Sequence, residues 1–244
     1  MSVGTTCAEV SAGPGAASGS FCGVFFDLYG TLTAGDRAAV HQACAAVIAD
    51  AGLSIPEPTF AERWGVKFFQ WVDGSNHDRF RTLLECERLS LVETVADFGV
   101  QIDPTPYVEM LEAYWRAPPL HPEVLEVVAQ LTLPVCIVSN ADHAAALDAL
   151  AHNGLQFAHV VTSEEARSYK PDAQIFEFAL RRTGWDARRV LHVGDSLHSD
   201  IGGARAAGLR TGWICRDDRI HDIGTVEPDH TFRNLNELLQ LLAG

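Results

Sequence analysis

Polar side chains follow apolar, β-prone runs at three points in this chain and precede a helix start at a fourth, and each point has a chemical reading. In Phe25-Phe26-Asp27-Leu28-Tyr29-Gly30-Thr31-Leu32-Thr33 an apolar run delivers Asp27 into a turn. A carboxylate held there can attack an electrophilic phosphorus or carbon. Gly30 lets a ligand approach the backbone closely, and the amides of Gly30 and Thr31 can face an anion. Read alone, Asp27 serves equally well as a strand-end cap of its own loop. In Val135-Cys136-Ile137-Val138-Ser139-Asn140 a hydroxyl and an amide are placed to hydrogen-bond phosphate oxygens, although a serine there also suits a helix N-cap. In Tyr169-Lys170-Pro171-Asp172 a cation precedes a helix start, where it can neutralise substrate charge and orient Asp27; the plain alternative is a solvated lysine. In Gly194-Asp195-Ser196-Leu197-His198-Ser199-Asp200 two carboxylates straddle a strand-to-helix junction. Hard oxygen ligands on a short loop suit Mg²⁺, and an N-cap Asp plus a surface Asp is the alternative.

The elements that must position these residues follow from hydrophobic pattern. Val24–Phe26, Pro134–Val138, His159–Val161, Val190–Val193 and Thr211–Ile214 read as strands separated by helical stretches. Strands alternating with helices predict an α/β fold, a Rossmann-like parallel sheet covered by helices on both faces. Ile175, Phe176, Ala179 and Leu180 recur at helical spacing within Asp172–Thr183, between Pro171 and Gly184. Small residues in Ser199–Ala207 would let a helix lie close to the sheet, with simple packing as the plain alternative. From about Gly35 to about Leu120 the alternation stops and only helical patterns appear, punctuated by Pro104, Pro106, Pro118 and Pro119. The expected organisation is a flexible tail over 1–20, an α/β core over 21–34 and 121–244, and a helical cap over 35–120. In open α/β sheets ligands bind beyond the carboxyl ends of the strands, which is where all four polar stretches fall.

Composition narrows the partners. The formal charge is −14, from 32 acidic and 18 basic side chains. Such a surface repels nucleic-acid backbones and anionic lipid heads, leaving a small molecule as the expected partner of a monomer or homodimer. No apolar stretch approaches the ~20 residues that span a bilayer, and the Gly/Ala/Ser-rich first twenty residues lack the features of a secretory signal. The six cysteines show neither C-x-x-C nor zinc-ligand spacing, which fits a reducing cytoplasm better than a disulfide framework.

The order of the four stretches, Asp after the first strand, Ser-Asn, Lys-Pro, then Gly-Asp with a later Asp, resembles the haloacid dehalogenase superfamily from Val24 onward. The resemblance implies that Asp27 is the nucleophile and that Ser139 binds the transferring group with Asn140 beside it. It implies that Lys170 pairs with Asp27 and the substrate anion. It also implies that Asp27, Asp195 and the backbone carbonyl of Tyr29 bind Mg²⁺, supported by Asp200. One position departs: most phosphatases of this superfamily carry a second Asp two residues after the nucleophile, to protonate the leaving oxygen and then activate water. Here that position is Tyr29, similar to the 2-haloacid dehalogenases. Those enzymes need no metal and usually lack the Gly-Asp-Ser form. The expectation is therefore a Mg²⁺-dependent phosphatase of a small metabolite acting through an aspartyl-phosphate. A metal-independent dehalogenase and a catalytically weak binding protein stand as alternatives. A dehalogenase needs a cation for the substrate carboxylate, with Arg37 and Arg63 as candidates. The aromatic run Trp64–Trp71 reads either as a lid surface or as the core of the helical segment; Lys67, Arg79, Arg81, His77 and His198 read as surface groups before they read as ligands.

Overall fold

Val24, Phe25 and Phe26 are wholly buried, which a strand achieves only when helices cover both faces of its sheet. The computed structural model describes residues 21–216 and 226–243, so the expected tail over 1–20 lies outside the described residues. Six parallel strands form one sheet in the order β3-β2-β1-β4-β5-β6. They are β1 (Gly23–Phe26), β2 (Val135–Ser139), β3 (His159–Thr162), β4 (Val190–Gly194), β5 (Arg210–Ile214) and β6 (His230–Phe232). The register places Phe26 level with Ile137 on one side and Val193 on the other.

One face packs Val24, Phe26, Ile137 and Leu191 against α5 (Val124–Gln130), α6 (His143–His152) and α10 (Leu235–Ala243). The other packs Phe25, Cys136, Val138 and Val161 against α8 (Ala173–Thr183), through Ile175, Phe176 and Ala179. α7 (Ser163–Ala166) and α9 (Gly203–Ala206) are single turns. The expected helix over Ser199–Ala207 is divided between α9 and a preceding π-type turn, Leu197–Gly202. The close approach it permits is at Gly203, where a Cβ would come within 2.9 Å of the Pro171 backbone.

Between β1 and α5 lie four α-helices: α1 (Asp36–Asp50), α2 (Glu57–Gly74), α3 (Leu83–Ala96) and α4 (Thr105–Arg116). They bury their own cluster, including Val47, Phe60, Trp64, Leu91, Tyr107 and Leu111. α3 starts with a capping box, in which the Thr82 hydroxyl accepts from Glu85 N–H and the Glu85 carboxylate accepts from Thr82 N–H. The aromatic run lies on α2 and divides by face. Trp64 is buried and donates its indole N–H to Ser90 Oγ at 2.9 Å, while Phe69 is 60% exposed. No helix among the described residues is long and apolar enough to cross a membrane. Cys22, Cys44, Cys86 and Cys136 are free thiols.

Glu87 on α3 is buried, and its carboxyl has neither a cation nor a hydrogen-bond donor among the described residues. Burial pushes its pKa up to about 8. A carboxyl raised in the folded state contributes full stability below its unfolded range and loses it as pH rises through the folded value. Glu87→Gln is therefore neutral near pH 4 and stabilising by on the order of 3 kcal/mol above pH 8. Urea unfolding of both proteins at pH 5, 7 and 9 measures this; a gap independent of pH removes the claim.

Candidate active site

β1 is flanked by β2 on one side and β4 on the other, so successive connections leave its carboxyl end in opposite directions. Such a switch point opens a crevice at the strand tips. Asp27 sits there, its amide donating to Val193 O at 3.0 Å as the last rung of the β1–β4 ladder. The chain then turns tightly. Gly30 adopts φ +90°, its amide donates to Thr33 O, and Thr33 N–H returns to Leu28 O. A side chain would strain that backbone, which accounts for glycine at position 30.

Three other segments converge on Asp27, two at strand ends and one, carrying Lys170, between two helices rather than at the strand end expected. Ser139, the last residue of β2, donates its hydroxyl to Asp27 Oδ1 at 3.3 Å. Lys170, between α7 and α8, donates Nζ to Asp27 Oδ1 at 2.7 Å, to Asp200 Oδ1 at 2.6 Å and to Val138 O at 3.1 Å. Asp200 accepts Ser196 N–H at 3.1 Å and lies 2.9 Å from His192 Nε2. Gly194 admits this carboxylate, since a Cβ there would stand 2.2 Å from Asp200 Cγ. Lys170 is only 3% exposed and Asp27 5%, so the cluster is dry.

The charges are unevenly shared. Burial pushes the Asp27 carboxyl above the usual carboxylate range, aided by the nearby Asp200 charge and opposed by Lys170. Burial also acts to raise Asp200, but Lys170 and His192 outweigh it and hold that carboxyl well below its ordinary value. Burial acts against the Lys170 charge, yet the two carboxylates hold it above the ordinary lysine range. One ammonium thus serves two buried carboxylates and satisfies Asp200 more fully than Asp27.

Asp27, Asp195 and Asp200 each offer an oxygen, and these oxygens lie within 4.8 Å of one another. Among the described residues these are clustered hard-oxygen donors beside a single buried ammonium, Lys170, while burial holds His192 below its ordinary pKa. This donor set fits a hard divalent cation.

Several side chains take roles that the sequence did not indicate. Asn140, expected to contact substrate, spends its amide on the neighbouring loop: Oδ1 accepts Lys170 N–H at 2.7 Å and Nδ2 donates to Lys170 O at 3.1 Å. Thr31 donates its hydroxyl to Asp195 Oδ1 at 3.3 Å and accepts Arg216 Nη2 on its carbonyl. The Tyr29 hydroxyl donates to Trp115 O at 2.8 Å, at the end of α4, and burial raises its pKa far above an ordinary phenol. It is therefore neither a base nor a free acid. Of the candidate carboxylate-binding cations, Arg37 is exposed beside His41, and Arg63 lies over the Phe98 ring at 5.3 Å. His77 pairs with Asp172 at 3.0 Å, and His198 is exposed. His192 was not singled out by the sequence. A lone polar residue inside the apolar run Val190–Val193 was the available signal.

The family model for haloacid dehalogenase-like hydrolases matches residues 23–208. (S)-2-haloacid dehalogenase H-109 of Pseudomonas putida is 28% identical over 223 residues, covering 88% of this chain and 95% of that protein. Pyrimidine 5'-nucleotidase YjjG of Escherichia coli (strain K12) is 40% identical over a shorter stretch of 109 residues, 43% of this chain and 48% of that protein. Among solved structures, the putative HAD-hydrolase YfnB from Bacillus subtilis, bound to magnesium, superposes with a TM-score of 0.76 at 20% identity, over 92% of this chain and all of that one. With most of its length matched and its four polar stretches gathered around Asp27, the chain belongs to the haloacid dehalogenase-like hydrolases.

Proposed function

We propose that this hydrolase is a Mg²⁺-dependent phosphatase of a small phosphorylated metabolite, with Asp27 as nucleophile and the helical insert as a cap over the site. The observation that carries this reading is the third carboxylate. Asp195 stands with Asp27 and Asp200 where a neutral haloacid carbon requires no such charge. Asp27, Asp195, Asp200 and the Tyr29 carbonyl would hold the ion, and its bound charge screens the repulsion between a carboxylate and a phosphate. Asp27 attacks phosphorus, the leaving oxygen departs with its electron pair, and water later releases phosphate from the aspartyl-phosphate. The Ser139 hydroxyl and the Thr31 amide receive the phosphoryl oxygens, the Gly30 amide being spent on Thr33 O, while Lys170 orients Asp27 and favours its ionised form. Because the Tyr29 hydroxyl is committed to Trp115 O, it supplies no proton to the leaving group. Substrates whose leaving group needs little protonation, acyl phosphates foremost, fit this site best.

One observation favours a second reading, a metal-independent 2-haloacid dehalogenase: tyrosine two residues after the nucleophile, in a chain similar to such enzymes over most of its length. The two readings part in one experiment. Phosphate release is followed on a panel of phosphorylated metabolites including acyl phosphates, with and without EDTA, beside halide release from short 2-haloacids without metal. We expect phosphate release that EDTA abolishes. Halide release unaffected by EDTA, with no phosphate release, would overturn the proposal.

A further inference from the structure

Lys170 carries the charge at the centre of the site, and the residue before it is built into the helical insert. Tyr169 is only 1% exposed, and its ring stacks on Phe80 at 5.2 Å and 17°. Its hydroxyl donates to Arg81 O at 2.8 Å, and its amide donates to Asn76 Oδ1 at 2.7 Å. Phe80, Arg81 and Asn76 all belong to the connection between α2 and α3. The first residues of α3, directly after that connection, grip the loop after β2. Asp142, three residues beyond Ser139, accepts Leu83 N–H at 2.6 Å and Leu84 N–H at 3.0 Å. A core carboxylate thus occupies the N-terminus of α3, where free amides and the helix dipole favour an anion. Asn140 then joins the two core loops through Lys170 N–H and O.

We infer that Tyr169 and Asp142 are positioning residues that tie closure of the helical insert to the placement of Lys170 against Asp27. The logic is mechanical. Asp27 at 5% exposure is closed to any substrate, so the insert must move away for binding. Moving it withdraws the Phe80–Arg81 pocket from Tyr169 and the α3 amides from Asp142. Residues 169 and 170 are adjacent, so seating the insert tightens the register that Asn140, Val138 O and Asp200 give the Lys170 ammonium from the core. Substrate enters while the site is loose, and the full charge arrangement re-forms on closure. The inference rests on Asp27 as nucleophile and on movement of the insert, not on whether phosphorus or carbon is attacked.

The test uses full-length protein without substrate, followed by hydrogen exchange resolved to single amides, with Tyr169→Phe and Asp142→Ala as the variants. Losing one cross-loop hydrogen bond favours opening by about five- to tenfold. In Tyr169→Phe the amides of Leu83 and Leu84, which the substitution does not touch, exchange about five- to tenfold faster. In Asp142→Ala the amide of Tyr169 does the same. Unchanged exchange at the distant loop in both variants overturns the coupling. Where a turnover substrate is in hand, Tyr169→Phe lowers kcat by a similar factor with little change in KM, because the loss falls on the closed, reacting state. Faster exchange with kcat unchanged overturns the link to Lys170. Because hydrogen exchange requires no substrate, it tests the coupling even if phosphatase activity is absent.

Discussion

Asp27→Asn abolishes turnover, by roughly 10⁴-fold or more, and raises the melting temperature of the metal-free protein. The two effects have one cause. Asparagine keeps the shape and the acceptor that Ser139 and Lys170 contact, but it cannot form the covalent intermediate. It also removes one of two buried carboxylates that share a single ammonium. Burial holds the Asp27 carboxyl above its ordinary range, so its ionised form costs stability. A group raised on folding stabilises below its unfolded range and loses that contribution as pH rises. The gain from Asp27→Asn is therefore absent near pH 4 and grows toward neutrality. An increase on the order of 1 kcal/mol corresponds to ~2–4 °C for a chain of this size. On the proposed reading, Mg²⁺ added to the wild type would have the same electrostatic task, and its stabilising effect is expected to shrink in the variant. Thermal melts at pH 4.5 and 8, with Mg²⁺ or with EDTA, measure all of this. A lower melting temperature at pH 8 in EDTA would mean that Lys170 compensates both carboxylates, against the excess of negative charge in the cluster.

What the sequence made legible here was periodic or local. β1, β2, β3, β4 and β5 announce themselves as short runs rich in apolar, β-prone residues, because a strand covered on both faces has little room for anything else. β6 was not foreseen. His230–Phe232 spans three residues and contributes one well-buried side chain, too little pattern to stand out. The helical stretch around Leu83–Val95 was read from its leucines and valines, yet its first turn is fixed by Asp142, nearly sixty residues away.

The site divides along the same line. Asp27, Ser139, Lys170, Asp195 and Asp200 were identifiable because each follows a strand or opens a helix, and chain order alone brings strand ends together. What Asn140 and Thr31 do was not visible. Each spends its side chain on a residue 30 or 164 positions away, a distance that no local pattern encodes. Tyr29 was visible as a departure, but the fate of its hydroxyl on Trp115 O required coordinates. His192 was hidden by its apolar neighbours. Its ring packs edge-on against Phe176 at 4.9 Å and turns Nε2 to Asp200, so a residue inside a strand orients the carboxylate that holds Lys170.

Lys170→Met tests that arrangement from the cationic side, and we expect it to destabilise the protein by roughly 3–5 kcal/mol at pH 8. Methionine fills much of the lysine stem, so lost packing contributes little; the cost comes from leaving Asp27 and Asp200 facing each other in a dry site. Asp200 decides the pH dependence. In the wild type Lys170 and His192 hold its carboxyl low against the opposing effect of burial. A carboxyl lowered on folding contributes stability above its unfolded range and loses it as pH falls through the folded value. Without the ammonium, burial and mutual repulsion push both carboxyls upward, and the variant becomes most stable in acid. The gap between the two proteins is accordingly small near pH 4 and widens as pH rises toward 8. On the proposed reading, a divalent cation shared by Asp27, Asp195 and Asp200 would replace part of the missing charge, so Mg²⁺ is expected to stabilise the variant more than the wild type. It does not restore turnover, because a cation on the Asp195 side leaves the Lys170 position beside Val138 O empty of charge. Urea unfolding at pH 5 and pH 8, each with Mg²⁺ and with EDTA, resolves the four cases. A penalty equal at both pH values would assign the loss to packing and remove the electrostatic account of the cluster.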